Sequence, residues 1–435
     1  MRPAARLSAA IEVLDDVARR HRPVADALKD WGLSHRFAGS GDRTAIGNLV
    51  YDALRKRASL AWRMGSDEPR ALILAAFCTM WGTAPADLAA MSDGDRHAPS
   101  PPTAEEIAAL SRTDLATALP WVRADLPEWL VPSLTAALGD DLVAEGEALA
   151  RRAPVDLRAN TLKAGRDKVV AALARFHAVP TPHSPVGVRL PVGEGPARPP
   201  HVQSEEGFAK GWFEIQDEGS QLAALLAGAR PGDQILDLCA GAGGKSLALA
   251  AETGGKGQIY AFDTDKRRFG DIYERLDRAG VRNVQIRRPE DEDVLDDLAG
   301  RMDLVLVDAP CTGSGTWRRR PDAKWRLREN ALAMRVGEQA ALLAEAVRFV
   351  KPGGRLVYVT CSILPEENER QVEAFLASHP GFALVEPAAA WIAAIGTALP
   401  DGLAAPVGPA GAAIRLTPAR AGTDGFFVAV MTRGG

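Results

Sequence analysis

The chain has 435 residues, 52 Lys and Arg against 56 Asp and Glu for a net charge of −4, and 46% hydrophobic residues. At roughly 150 residues per domain it holds two or three domains, and its composition is ordinary for a soluble protein. No unbroken apolar run of about 18 residues is present to span a bilayer, and Met1-Arg2-Pro3 leads into an amphipathic pattern without a signal-like apolar stretch, so no membrane association and a cytoplasmic address are expected.

Residues 7 to 90 read as helices: Leu7, Ala10, Ile11, Leu14 and Val17 recur at helical spacing, as do Ile46, Val50 and Leu54, then Leu72, Leu74 and Phe77. The run His97-Ala98-Pro99-Ser100-Pro101-Pro102 punctuates this region, and short helices follow to about Ala150. From Asp156 the texture changes to Leu157-Arg158-Ala159-Asn160-Thr161-Leu162-Lys163, a helix near Lys168 to Phe176, and Gly187 to Pro191, which predicts a small mixed α/β module presenting Arg158 and Lys163. After a helix at Ser220 to Leu226, strands at 234–238, 258–262, 284–286, 304–307 and 355–359 alternate with helices, the signature of a doubly wound parallel sheet.

The first of these strands runs into Cys239-Ala240-Gly241-Ala242-Gly243-Gly244-Lys245 and a helix. Bare backbone amides at such a turn let a cofactor pass closely, and Asp263, ending the next strand about 20 positions on, is placed to bind ribose hydroxyls. The glycine pattern is not G-x-G-x-x-G; a nicotinamide site stays open, and S-adenosylmethionine (SAM) fits the spacing at least as well. Glu290, with Asp291 beside it, follows the third strand within reach of an adenine ring.

Four cysteines occur, with no Cys-x-x-Cys or His-x-x-x-His pair, so neither a disulfide framework nor a metal is expected. Cys311 in Asp308-Ala309-Pro310-Cys311 and Cys361 in Thr360-Cys361-Ser362 each follow an apolar strand. Two thiols beside a cofactor loop point to covalent chemistry, because a thiolate adds to electron-poor rings that a carboxylate or hydroxyl attacks poorly. Directly after Cys311, Arg318, Arg319, Arg320, Lys324 and Trp325 mix cations with indole as single-stranded RNA sites do.

Leu236 to Lys245, Asp308 to Gly315 (DAPCTGSG) and Thr360 to Asn368 (TCSILPEEN) together resemble the RsmB/Sun (Nol/Nop/Sun) RNA cytosine-5 methyltransferases. Gln216 to Ser220, Leu157 to Lys163, which looks like the family's RNA-binding motif, and Gly422 to Phe427 add to the likeness. The resemblance implies a Rossmann-like class I SAM-dependent methyltransferase domain over 214–435. It also implies a small α+β RNA-binding module over 136–213, with Arg158, Asn160 and Lys163 on RNA. Residues 1–135 are similar to an all-helical NusB-like domain, notably at Ala45 to Arg55, with 91–130 replacing its later helices.

By the same resemblance Cys361 is the nucleophile at cytosine carbon 6, Cys311 assists product release, Asp308 contacts the cytosine edge or the cofactor, and Lys245 lies near both. Residues 239–245 with Asp263, Glu290 and Asp308 bind the cofactor. The substrate implied is RNA, ribosomal RNA of the small subunit ahead of tRNA, with no obligate protein partner. A non-catalytic RNA-binding assembly factor is the alternative of a different class. Gly241-Ala242 departs from the family's Ala-Pro, which is expected to loosen the loop.

Overall fold

The computed structural model describes residues 1–92, 96–112, 114–290 and 293–435. Two compact units result: one joins 1–153 to two short segments, 192–199 and 317–327, and the other holds 154–191, 200–316 and 328–435.

The first unit is helical. Pro3–Arg20, Val24–Ser34, Ser40–Arg55, Arg57–Met64 and Pro69–Trp81 are its main helices. Proline opens the first and the last of these, where a missing N–H costs nothing, and Gly65 (φ 66°) and Gly82 (φ 74°) end two of them in the left-handed conformation. Leu7, Val13, Leu14, Ile46, Leu49 and Ile73 are buried together in its core. The helix Pro69–Trp81 is apolar and buried all round from Ala71 to Phe77, and no single helix among the described residues is long and apolar enough to cross a membrane.

The segment 317–327 belongs to this helical unit although its neighbours in sequence do not. Lys324 Nζ donates to the Arg55 carbonyl at 3.1 Å, and Trp325 Nε1 donates to the Leu54 carbonyl at 2.6 Å. These bonds occupy carbonyls that the helix Ser40–Arg55 leaves open at its C-terminal end. Asp322 accepts from the Val24 amide, and the Arg55 guanidinium binds the Arg318 carbonyl.

The second unit contains two sheets. In the small antiparallel one, β1 (Val155–Ala159), β2 (Val179–Pro180), β3 (Gly187–Leu190) and β4 (Phe213–Ile215) lie in the order β2-β3-β1-β4. Leu157, Val188 and Phe213 are buried with Val169 of the helix Arg166–Ala172.

The large sheet has nine strands: β5 (Gln234–Asp237), β6 (Gln258–Phe262), β7 (Val284–Arg287), β8 (Met302–Asp308), β9 (Val350–Thr360), β10 (Phe382–Leu384), β11 (Ala404–Pro406), β12 (Ala412–Leu416) and β13 (Phe426–Arg433). The order β11-β12-β13-β9-β8-β5-β6-β7 reverses direction at β5, and β10 pairs with β13. Strands β5 to β9 are parallel, as the alternating pattern predicts. By contrast β10 to β13 pair antiparallel, so the sheet is mixed and not wholly parallel. In a doubly wound sheet the crevice outside the carboxyl ends at the reversal is where ligands bind, and the loops after β5, β6, β8 and β9 all emerge at those ends.

Candidate active site

The turn after β5 is shaped by its glycines. Gly241 (φ 53°) and Gly243 (φ 79°) adopt the left-handed conformation, and a Cβ on Gly243 would lie 2.6 Å from Ile272. The Gly241 amide donates to Asp263 Oδ2 at 2.9 Å, tying the turn to the end of β6, while Arg275 holds the Ala242 carbonyl at 2.6 Å. Gly241 and Ala242 are thus each tied down, one to the end of β6 and the other to Arg275. Cys239 follows β5 with its thiol pushed well above the ordinary value, chiefly by burial, so it is a poor nucleophile.

Asp237, fully buried at the end of β5, accepts from Ser246 Oγ at 2.6 Å through one oxygen, and its other oxygen has no partner among the described residues. Burial pushes its carboxyl up to about 7. Beside it a groove of about 410 Å³ is lined by Leu238, Phe262, Thr264, Leu295 and Leu342. An orphaned buried carboxylate oxygen, a glycine cradle, the buried Asp263 and an apolar groove suit a cationic nucleoside. Glu290 stands apart, exposed and paired with Lys266 at 3.1 Å, and Asp291 lies outside the described residues.

The chemistry-bearing side chains meet at the ends of β5, β8 and β9. Lys245 Nζ donates to Asp308 Oδ2 at 2.5 Å, with Lys245 nearly buried and Asp308 about one-third exposed. The sulfurs of Cys311 and Cys361 are 3.3 Å apart although 50 residues separate them. The Cys311 thiol is held well above its ordinary value, first by its hydrogen bond to Cys361, then by burial and by the charge of Glu367. Two thiols, a lysine–carboxylate pair and a cofactor cradle can together support addition of sulfur to a ring, alkylation at the adjacent carbon and proton handling.

The residues expected on RNA are placed differently. Arg158 is buried, donates to Gln216 Oε1 at 2.7 Å and has its guanidinium lowered to about 10 by burial. Asn160 donates to the Gly211 and Ala279 carbonyls, both at 2.9 Å, and Lys163 to the Arg278 carbonyl at 2.6 Å. These are internal ties: the first two carry no open RNA surface, and the ammonium of Lys163, itself exposed, is spent on backbone. Arg318, Lys324 and Trp325 likewise serve the helical unit, with Lys324 only 1% exposed. Burial outweighs their cationic character, and only Arg319 and Arg320 of that run are exposed.

The sequence profile of the 16S rRNA methyltransferases RsmB/F matches residues 224–432, and that of the ferredoxin-like domain of RsmF/B-like methyltransferases matches 126–193. Over these two stretches the chain carries the domains of the RsmB/F methyltransferase family. A Klebsiella pneumoniae relative named ribosomal RNA small subunit methyltransferase B is 37% identical over 258 residues, 58% of this chain and 58% of its own length. A relative of the same name from Sodalis glossinidius is 35% identical over 311 residues, 71% of this chain and 65% of its own. The chain thus aligns with less than two thirds of these relatives.

Among solved structures, the crystal structure of PH0851 superposes with a TM-score of 0.72 at 25% identity and covers 99% of both chains. NSun6 from Pyrococcus horikoshii, solved with SFG, shares the fold at a TM-score of 0.61 and 22% identity, over 71% of this chain and 98% of its own. The family is SAM-dependent, and the Asp237, Asp263 and 239–244 cradle fits that cofactor, which supplies an electrophilic methyl group when bound.

Sequence reasoning did not single out Glu367 and Asn368, which close the motif Thr360 to Asn368. They lie in the polar run Glu366 to Gln371, where nothing in the sequence sets the two apart from their neighbours.

Proposed function

We propose that this chain methylates carbon 5 of a cytosine in RNA, with 16S ribosomal RNA as the substrate. The observation that carries the reading is the 3.3 Å approach of the Cys311 and Cys361 sulfurs, one strand over from the Lys245–Asp308 pair. Carbon 5 of cytosine is a weak nucleophile, so Cys361 first forms a C6–S bond and pushes the ring electrons onto carbon 5. That carbon takes the methyl group. Loss of its proton to a base then returns the electrons to the ring, the C6–S bond breaks, and Cys361 leaves as thiolate. Cys311, held as a thiol, handles protons in this last stage, and Asp308, kept in place by Lys245, contacts the cytosine edge. Names of the relatives supply the choice of ribosomal RNA.

The test is transfer of labelled methyl from SAM to unmodified 16S rRNA, followed by denaturing electrophoresis for protein–RNA adducts. Cys361→Ala is expected to abolish both transfer and adduct, whereas Cys311→Ala should accumulate adduct. Transfer to tRNA alone would replace the substrate, and no transfer to either RNA would favour a non-catalytic assembly factor.

A further inference from the structure

Two adjacent buried residues that the chemistry above does not use touch both thiol loops. Glu367 and Asn368 sit between β9 and the helix Glu369–Ser378, each 0% exposed. Buried polar groups must find partners inside the protein or cost several kcal/mol, so where these partners lie is informative. Glu367 accepts from the Thr312 amide at 2.8 Å through Oε1 and from the Thr312 hydroxyl at 2.6 Å through Oε2. Gln339 Nε2 joins Glu367 Oε1 at 3.0 Å and the Pro310 carbonyl at 2.9 Å. The residues on either side of Cys311 are thus fastened to one carboxylate and its amide partner.

Asn368 does the same for the other thiol. The Thr360 hydroxyl donates to Asn368 Oδ1 at 2.6 Å, and Asn368 Nδ2 donates to the Ser362 carbonyl at 2.9 Å, so Cys361 is bracketed from both sides. The pair is itself anchored, because the Tyr358 hydroxyl donates to the Glu367 carbonyl at 2.6 Å. We propose that Glu367 and Asn368 are positioning residues: one rigid dipeptide whose two side chains, pointing to different loops, hold the Cys311 and Cys361 sulfurs at reacting distance. Neither touches the reacting atoms. Their roles in methyl transfer rest on the function proposed above, but the placement of the sulfurs does not.

Glu367 has a second effect that separates positioning from simple packing. Its charge is one of the causes that raise the Cys311 thiol, so its removal should make that thiol more acidic. Packing alone would leave the titration where it is.

The experiment uses the full chain without RNA or SAM. Diamide takes up the two thiol hydrogens as Cys311 and Cys361 join, and peptide mass spectrometry reads the rate of that one cross-link. With each rate corrected for the Cys311 thiolate fraction from the alkylation titration, Glu367→Gln and Asn368→Ala are expected to slow it at least tenfold while circular dichroism stays as in the parent. Peptide-resolved alkylation of Cys311 in Glu367→Gln should shift its pH midpoint downward, and kcat should fall with KM for RNA nearly unchanged. Thr312→Val and Thr360→Val remove the partner hydroxyls in place of the pair and should reproduce the slower cross-link if either first variant fails to fold. Unchanged cross-linking in folded variants overturns the inference, as does a parent protein that does not cross-link. Fast cross-linking in the parent, slowed in the variants, with no methyl transfer by the parent, keeps the positioning pair and removes the proposed function.

Discussion

Replacing Lys245 by Met deletes an ammonium 2.5 Å from Asp308 Oδ2. At that separation and an effective dielectric of about 20 the Coulomb attraction is about 7 kcal/mol, a gross figure that desolvation largely offsets. Only 7% of the Lys245 side chain is exposed, against 31% for Asp308. In Lys245→Met the carboxylate left behind regains part of its hydration, so the loss should be about 2 kcal/mol, below the usual range for fully buried pairs. In Asp308→Asn the stranded charge is the drier ammonium, and the loss should be larger, about 3–4 kcal/mol. The double variant strands neither group and should cost at least about 1 kcal/mol less than the sum of the two. Urea unfolding of the four proteins, followed by far-ultraviolet circular dichroism, completes the cycle. Costs that add to within about 0.3 kcal/mol, or a Lys245→Met loss exceeding that of Asp308→Asn, would refute the reasoning.

Other expectations follow from single positions. A Cβ on Gly315 would lie 2.2 Å from the Gly425 carbonyl oxygen, so Gly315→Ala should cost about 2–3 kcal/mol and lower Tm; Gly337→Ala, with nothing within 4 Å in the helix Glu329–Ala346, should raise it slightly. Asp237 titrates near 7 when folded against an ordinary 3.8, so the folded state carries the extra proton between those values. Its contribution is fully present below about pH 4 and lost as pH rises through 7, by at most about 4 kcal/mol. Asp237→Asn should flatten that part of the stability profile measured by urea titration at successive pH values. Trp325→Ala, removing an indole bonded to Leu54, should destabilise the helical unit by about 3 kcal/mol in calorimetry. Weaker RNA binding with unchanged melting would instead identify Trp325 as a base-stacking surface.

The parts of the site that could be read from the sequence are those encoded locally. The turn Cys239 to Gly244, with Asp263 after the next strand, and the two cysteines at strand ends lie in short contiguous runs whose backbone demands are visible residue by residue. The parallel strands β5 to β9 were legible for the same reason, each being an apolar run between turn signals. Strands β11 and β12 were not, because Ala404–Pro406 and Ala412–Leu416 are short, alanine-rich and without alternation, and only pairing with β13 makes them strands.

Charge misled where the deciding partner was remote. Lys324 and Trp325 look like an RNA surface in sequence, but the carbonyls they bind, on Arg55 and Leu54, are 269 and 271 positions away. Arg158 similarly looks like a cation on an open strand face, and its ties to residues of the 213–216 segment are invisible until β1 and β4 pair. Glu367 and Asn368 were hidden because a buried acceptor is recognised only by its donors.

The make-up of the helical unit bears on how this protein is synthesised. Its first 153 residues leave the ribosome early, yet they lack the segments 192–199 and 317–327 that complete the unit. Until residue 327 has been translated, the open end of the helix Ser40–Arg55 has no Lys324 or Trp325 to bind, and Asn48 lacks the Gly195 and Ala197 carbonyls until that stretch appears. The N-terminal unit therefore cannot finish folding in simple order of emergence. Its last piece arrives only after β5 to β8 of the other unit have been made, so the two halves mature in an interleaved sequence. Excising 1–153 as a free-standing domain would leave it short of its own parts.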